Sequence, residues 1–234
     1  KDMFPKDIGI IIPAYNEEDR LGNTLNTLKN LNIIKDILVI DDGSMDNTGR
    51  IAIEEGVRLI TLDKNRGKGY ALKKGIGYLD NSIVVFLDAD IGETATEVTK
   101  LVYPLLENKA EVTIGKIELT PGKGGFGIVR GLSQIAFKSL TGKEFPSILS
   151  GQRAFKREVL DKDLLNYRRY GIEFGMTVDL VQKNLRILEV PIDIQHRTTG
   201  RDYRGFVHRG KQFWDILMVI LEKKIKAFHP KEAG

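Results

Sequence analysis

Asp88 and Asp90 stand one residue apart, directly after the apolar run Ile83-Val84-Val85-Phe86-Leu87. A β-branched and aromatic run without alternation reads as a strand buried on both faces, which puts the two acids at its carboxyl end. Open α/β sheets bind ligands at that end. Two carboxylates there can hold a hard divalent cation through oxygen, and the cation can hold the phosphates of a nucleotide. A second acidic pair opens the loop Asp41-Asp42-Gly43-Ser44, after an apolar stretch at 36–40. Gly43 permits a tight turn there while the carboxylates accept hydrogen bonds from a base or ribose. Ser44 or Asp46 also suits the N-cap of the next helix.

Two more segments carry usable chemistry. In Pro13-Ala14-Tyr15-Asn16-Glu17 an aromatic ring beside an acid can hold a base edge, and Asn16 or Glu17 can equally cap the helix that follows. Lys64-Asn65-Arg66-Gly67-Lys68-Gly69 precedes a helix, so its cations, glycines and the helix amino end make a phosphate cradle; a solvated basic loop is the alternative.

These loops need strands and helices to position them, and the first half of the chain supplies both in alternation. Strands are predicted over 9–12, 36–40, 57–62 and 83–87, with helices over 17–31, 47–55 and 69–79 between them. Short β-α-β units imply a doubly wound, mostly parallel sheet with helices on both faces, and the four loops at the strand ends should line one crevice. The second half is less regular. It reads as a helix over 94–107, a strand over 112–117, a glycine-rich segment over 121–127 suited to a lid, and an amphipathic helix reaching Leu140. A short strand over 153–155, a helix over 173–184, a strand over 186–194 and a last helix over 207–228 follow.

Length and composition narrow the classes. The 234 residues suffice for one large α/β domain with a sizeable core, and 41% hydrophobic with 29% charged residues exclude a disordered or fibrous chain. A net charge of +4 is too weak to argue nucleic-acid binding. The basic excess is late: from Arg197 onward nine lysines and arginines face four acids, so that end suits anions. Absence of cysteine rules out disulfides, thiolate catalysis and cysteine–zinc sites, and is compatible with the cytoplasm, the expected location. No stretch reads as a signal peptide or a bilayer-spanning helix, so any membrane contact is expected to be peripheral.

Taken in order, Pro13-Ala14-Tyr15-Asn16-Glu17, Asp41-Asp42-Gly43-Ser44, Asn65-Arg66-Gly67-Lys68-Gly69 and Asp88-Ala89-Asp90 resemble family 2 glycosyltransferases of the GT-A fold, particularly enzymes similar to dolichyl-phosphate mannose synthase. The resemblance is closest through residue 90. It implies an inverting transfer from a UDP- or GDP-sugar with Mg²⁺ or Mn²⁺. The implied donor site is Pro13, Ala14, Tyr15, Glu17, Asp41, Asp42, Lys68, Asp88, Ala89 and Asp90, with Asp88 and Asp90 facing the metal and diphosphate.

Beyond residue 100 the likeness continues in Ser150-Gly151-Gln152-Arg153-Ala154-Phe155, which looks like the family's acceptor-side segment, where many members read Ser-Gly-Phe-Arg-Ala. Gln152 departs from that pattern. Some relatives carry an acidic base near this point and the segment has none; a phosphate acceptor, already anionic, needs none. Gly171-Ile172-Glu173-Phe174 resembles a later acidic segment, which makes Glu173 the best acid near the acceptor and Asp179 the second. Some GT-A enzymes complete their metal site with a late histidine, so the resemblance adds His196 to Asp88 and Asp90. Arg197 and Arg201 would neutralise the departing diphosphate, and with Asp90 and Glu173 they form the catalytic set.

One GT-A domain is therefore expected over 1–234, its nucleotide-sugar half at 1–117 and its acceptor half at 118–234. The last helix, with Phe213, Trp214, Leu217, Ile220 and Leu221 among lysines, fits a helix lying on anionic lipid as well as one packed on the sheet. Polyprenyl phosphate is the expected acceptor and the inner membrane face the expected docking place. The alternatives are a soluble acceptor, such as phosphoglycerate or a glycan, and a non-catalytic nucleotide-sugar scaffold.

Overall fold

A computed structural model describes residues 7–117, 127–167, 171–195, 214–215 and 217–222. Its centre is one seven-stranded sheet. The strands are β1 (Ile8–Ala14), β2 (Ile34–Asp41), β3 (Arg58–Thr61), β4 (Ile83–Phe86), β5 (Val112–Ile117), β6 (Arg153–Lys156) and β7 (Ile187–Ile192), in the spatial order β3-β2-β1-β4-β6-β5-β7. From β1 the chain moves outward through β2 and β3, then crosses back to place β4 on the other side of β1. Pairing is parallel from β3 through β4 and between β5 and β7. Strand β6 runs antiparallel between β4 and β5. The reversal of order between β1 and β4 is a topological switch point, and the crevice outside the carboxyl ends of those two strands is where such sheets take ligands.

Alternation along the strands sorts the core into two layers. Ile8, Ile10 and Ile12 of β1 pack with Leu21, Leu25 and Leu28 of α1 (Leu21–Lys29) and with Val98, Leu101, Val102 and Leu105 of α4 (Val98–Leu106). Ile11 points the other way, into the layer holding Ala71 and Leu72 of α3 (Lys68–Gly75), Phe137 of α5 (Gly127–Thr141) and Phe174 and Met176 of α6 (Ile172–Gln182). Each such aliphatic or aromatic side chain, fully buried, contributes about 1.5–3 kcal/mol. A sheet sandwiched on both faces explains why strands β1 and β4 read as continuous apolar runs.

The expected elements are present with shifted ends. The helix expected from 17 starts at Leu21, and residues 16–18 before it are tied to the loop after β2: Asn16 N–H donates to Ser44 Oγ (3.0 Å), Glu17 N–H to Thr48 Oγ1 (2.8 Å) and Glu18 N–H to Asp46 Oδ2 (3.2 Å). The helix expected over 94–107 divides into a 3₁₀ turn (Gly92–Glu97) and α4. Helix α2 (Thr48–Glu54) lies close to its expected span. Two short 3₁₀ turns, Arg157–Val159 and Lys162–Leu165, had no sequence signal. The expected lid over 121–126 lies outside the described residues, and of the last helix only 214–215 and 217–222 are described, all helical.

Candidate active site

Three loops at the carboxyl ends of β1, β2 and β3 bond to one another. Asp42 follows β2 and is buried; its Oδ1 accepts the Arg66 N–H (2.8 Å) and its Oδ2 the Gly67 N–H (2.7 Å). Asp42 thus fastens the 63–69 loop to the end of β2. Burial pushes its carboxyl up and the two amide bonds pull it partly back, with neighbouring Asp41 adding to the rise. Asp41 Oδ1 accepts the Ser44 N–H (2.9 Å), and Gly43 adopts φ +74°, its hydrogen facing the Lys64 backbone at a place where a Cβ would come within 2.6 Å. Asn16, itself left-handed at φ 55°, accepts the Met45 N–H on Oδ1 (2.9 Å). Asp46, not Ser44, makes the cap-like bond to α2, accepting the Thr48 N–H (3.0 Å). Tyr15 stays 42% exposed beside these loops, directly after buried Ala14.

The turn Asp88-Ala89-Asp90 is held from behind by α1 and the residue before it. Thr24 Oγ1 donates to the Ala89 carbonyl (2.8 Å) and accepts the Gly92 N–H (2.8 Å), while Arg20 Nη1 donates to the Asp90 carbonyl (3.2 Å). The acidic side chains are thereby presented on a fixed backbone. Asp88 Oδ1 takes Lys68 Nζ at 2.6 Å, and the same ammonium reaches Glu173 Oε1 at 2.8 Å. Burial pulls the Lys68 ammonium down, but Asp88 and Glu173 together outweigh it and hold Lys68 protonated. Lys68 therefore joins Asp88, after β4, to Glu173 in the first turn of α6.

Opposite Lys68, Gln152 closes on Asp88: its Nε2 donates to Asp88 Oδ2 (2.6 Å) and its Oε1 accepts the Asp88 N–H (3.1 Å). Gly151 lies against the same cluster, where a Cβ would meet Lys68 Nζ at 2.5 Å and the Asp88 oxygens at 2.9 and 3.0 Å. Behind them Arg153, 1% exposed, anchors the acceptor segment to α6. Its Nε donates to the Ser150 carbonyl (2.8 Å), and its Nη2 to the carbonyls of Ile148 (3.0 Å) and Glu173 (2.9 Å) and to Thr177 Oγ1 (2.8 Å). Burial pulls the guanidinium down to about 10, with Glu173 opposing. Asp179, the second acid considered near the acceptor, instead accepts the Tyr167 hydroxyl, whose own pKa is raised first by burial and then by that bond.

The structure thus brings together the residues expected on the donor side, at 13–17, 41–42, 68 and 88–90, and those expected on the acceptor side, Ser150, Gly151, Gln152, Arg153 and Glu173. His196, Arg197 and Arg201 lie outside the described residues. The chemistry of the donor set suits Mg²⁺ or Mn²⁺: Asp88 and Asp90 offer oxygen on a rigid turn at the switch point. Among the described residues no cluster of three or more histidines, aspartates or glutamates forms that could hold a metal. Three residues that the sequence did not single out shape the site: Arg20 just before α1, Thr24 in α1, and Thr177 in α6. Each sits in or beside a helix pattern that gives no hint of its distant partner.

A seven-stranded sheet in this order, with paired acids at the switch point, defines a nucleotide-diphospho-sugar transferase of the GT-A type. The family described as "Glycosyl transferase family 2" matches residues 9–164, and the chain belongs to it. Glycosyltransferase AglJ of Haloferax volcanii is 29% identical over 206 residues, covering 85% of this chain and 66% of that protein. UDP-N-acetylglucosamine–dolichyl-phosphate N-acetylglucosaminyltransferase of Methanococcus voltae is 31% identical over 222 residues, covering 81% of this chain and 86% of that protein. The crystal structure of glucosyl-3-phosphoglycerate synthase from Mycobacterium tuberculosis, in complex with Mn²⁺, uridine diphosphate and glucosyl-3-phosphoglycerate, superposes with a TM-score of 0.77 at 24% identity, covering 92% of this chain and 79% of that one.

Proposed function

We propose that this glycosyltransferase moves a sugar, with inversion, from a UDP- or GDP-sugar to a polyprenyl phosphate at the inner face of the membrane. The observation that carries the reading is the ion-paired bridge Asp88–Lys68–Glu173, which sets the donor carboxylates and the acceptor segment against one another. Asp41, Asp42 and the Tyr15–Glu17 loop take the nucleoside. Asp90 and Asp88, joined by His196, would hold Mg²⁺ or Mn²⁺, which supplies charge neutralisation for the diphosphate. Arg197 and Arg201 would stabilise the same leaving group.

A phosphate acceptor is supported by the chemistry around Glu173. Its carboxylate is committed to the Lys68 ammonium, so it serves to orient rather than to remove a proton, and a phosphate oxygen already carries the charge needed to attack the anomeric carbon. The Methanococcus voltae relative is named for a dolichyl-phosphate acceptor. Membrane contact is supported by two helices that bury one face and expose another: α5 buries Phe137 and exposes Leu132 and Ile135, and the last helix buries Val219 and exposes Trp214, Met218 and Leu221. No helix among the described residues is long and apolar enough to cross a membrane. A soluble phosphorylated acceptor is the second reading, favoured by the likeness to the Mycobacterium tuberculosis synthase crystallised with glucosyl-3-phosphoglycerate.

Incubating the protein with Mn²⁺ and radiolabelled UDP-glucose, UDP-GlcNAc or GDP-mannose, with undecaprenyl phosphate in vesicles or with 3-phosphoglycerate, separates the two. Label entering the organic phase only with the lipid supports the first reading. Label passing only to phosphoglycerate replaces it with the second.

A further inference from the structure

Gln152 is wholly buried, and its side chain spends both ends of its amide on one residue. Its Oε1 takes the backbone N–H of Asp88 and its Nε2 donates to that residue's Oδ2. Main chain and carboxylate of Asp88 are thus tied by the same rigid group, which fixes the side-chain torsion of Asp88 relative to its own backbone. With Oδ2 held in that way, Oδ1 is the oxygen left facing Lys68 at 2.6 Å. The glutamine is itself seated firmly: its carbonyl accepts the Gly115 N–H of β5 (2.9 Å), and it leads directly into β6.

We propose that Gln152 is a positioning residue for the donor, acting through Asp88; this rests on the reading that Asp88 and Asp90 face a nucleotide sugar. A neutral amide suits the task because it orients a carboxylate without adding charge to a cluster that already contains Asp88, Asp90, Glu173, Lys68 and Arg153. A cation at 152 would compete with Lys68 and the metal for Asp88, and an acid would repel it. An apolar side chain would remove this donor from Asp88 Oδ2, so that the carboxylate could rotate toward Lys68 and draw the ammonium from Glu173. Groups that orient a ligating carboxylate from behind typically matter ten- to a hundred-fold for affinity or activity.

The test is a calorimetric titration of UDP-glucose, UDP-GlcNAc and GDP-mannose, each with Mn²⁺, into the wild type, Gln152→Leu and Gln152→Glu, with thermal unfolding of each. The donor that binds the wild type should bind Gln152→Leu roughly ten- to a hundred-fold more weakly although that variant still unfolds cooperatively above the assay temperature. Gln152→Glu, which keeps the size and the bond from the Asp88 N–H but sets a carboxylate against Oδ2, should lose at least as much. If Gln152→Leu does not fold, Gln152→Glu decides alone. A folded variant whose donor affinity stays within twofold of wild type overturns the proposal, even if its melting temperature falls, because that is the signature of a purely structural residue. A wild type that binds none of the donors overturns the donor reading and the proposal with it.

Discussion

Gly151→Ala should damage the site while sparing the fold. The added Cβ would lie 2.5 Å from Lys68 Nζ and 2.9 Å from the nearer Asp88 oxygen, against 3.4 Å or more for ordinary contact. The ammonium must retreat by about 0.9 Å, and it is the end of a flexible side chain, so the backbone need not move. A retreat directly away from Asp88 stretches the 2.6 Å bond to about 3.5 Å, past good hydrogen-bond geometry, and a sideways retreat changes the angle at which the ammonium meets Asp88 and Glu173, now 2.6 and 2.8 Å away. A charge-assisted bond is worth about 1.5–3 kcal/mol, and misplacement on the scale of 1 Å costs up to about a hundred-fold in rate. Transfer should therefore fall by roughly ten- to a hundred-fold, which is about 1.4–2.8 kcal/mol of barrier. Stability should change little, since alanine restricts the unfolded chain by about 0.4–1 kcal/mol and offsets part of the lost pairing. Radiolabelled sugar transfer and differential scanning calorimetry on the same preparation check both halves. Transfer within threefold of wild type would refute the claim that the Asp88–Lys68 spacing matters, and a melting temperature lowered by about 15 °C or more would show that Gly151 serves the fold instead.

Other perturbations separate the roles of neighbouring residues. Arg153→Met strips donors from the carbonyls of Ser150, Ile148 and Glu173 and from Thr177 Oγ1, and should cost about 3–5 kcal/mol, or about 6–20 °C in melting temperature; a fall of under 2 °C would remove Arg153 as the anchor of the acceptor segment. Asp42→Asn can accept only one of the two amides now bound and should cost about 1–3 kcal/mol at pH 7. Because the Asp42 carboxyl is raised in the fold, the native protein binds more protons than the unfolded chain between 3.8 and that raised value. Its charged form costs stability above this window and the cost is relieved as pH falls through it, so the gap between wild type and Asp42→Asn in urea unfolding should widen from pH 7 toward pH 4; a gap that narrows contradicts the assignment. Replacing exposed Ile135 and Trp214 together by serine should weaken co-sedimentation with anionic vesicles severalfold and leave the melting temperature within about 3 °C; unchanged sedimentation would count against peripheral docking.

The fold of the first half was readable from sequence because its signals are local. Each strand is a short apolar run, each loop follows directly, and a parallel sheet with helices on both faces leaves few ways to arrange them. The loops at 13–17, 41–44, 63–69 and 88–90 do converge, bonded through Asp42, Ser44 and Lys68. The partners within the site were not readable. Asp42 looked available to a nucleoside, yet its oxygens also bind two loop amides, a pairing across 24 and 25 residues that no periodicity reveals. Gln152 was visible only as a departure from a family pattern, and its meaning depends on β6 lying antiparallel beside β4, a contact between strands far apart in the chain. Thr24 in an ordinary amphipathic helix and Arg20 just before it carry no signal until the sheet brings Asp88-Ala89-Asp90 against them. The ties from residues 16–18 to the loop after β2 were equally hidden, since they join positions 28–31 residues apart.

The most direct measurement is calorimetric binding of UDP-glucose, UDP-GlcNAc and GDP-mannose, with and without Mn²⁺, to the wild type and to Asp90→Ala. One donor should bind, its affinity should depend on Mn²⁺, and both the binding and its metal dependence should be lost in Asp90→Ala while the variant remains folded. Binding of no donor, or binding indifferent to Mn²⁺ and to Asp90, would contradict a metal-assisted nucleotide-sugar site at the end of β4.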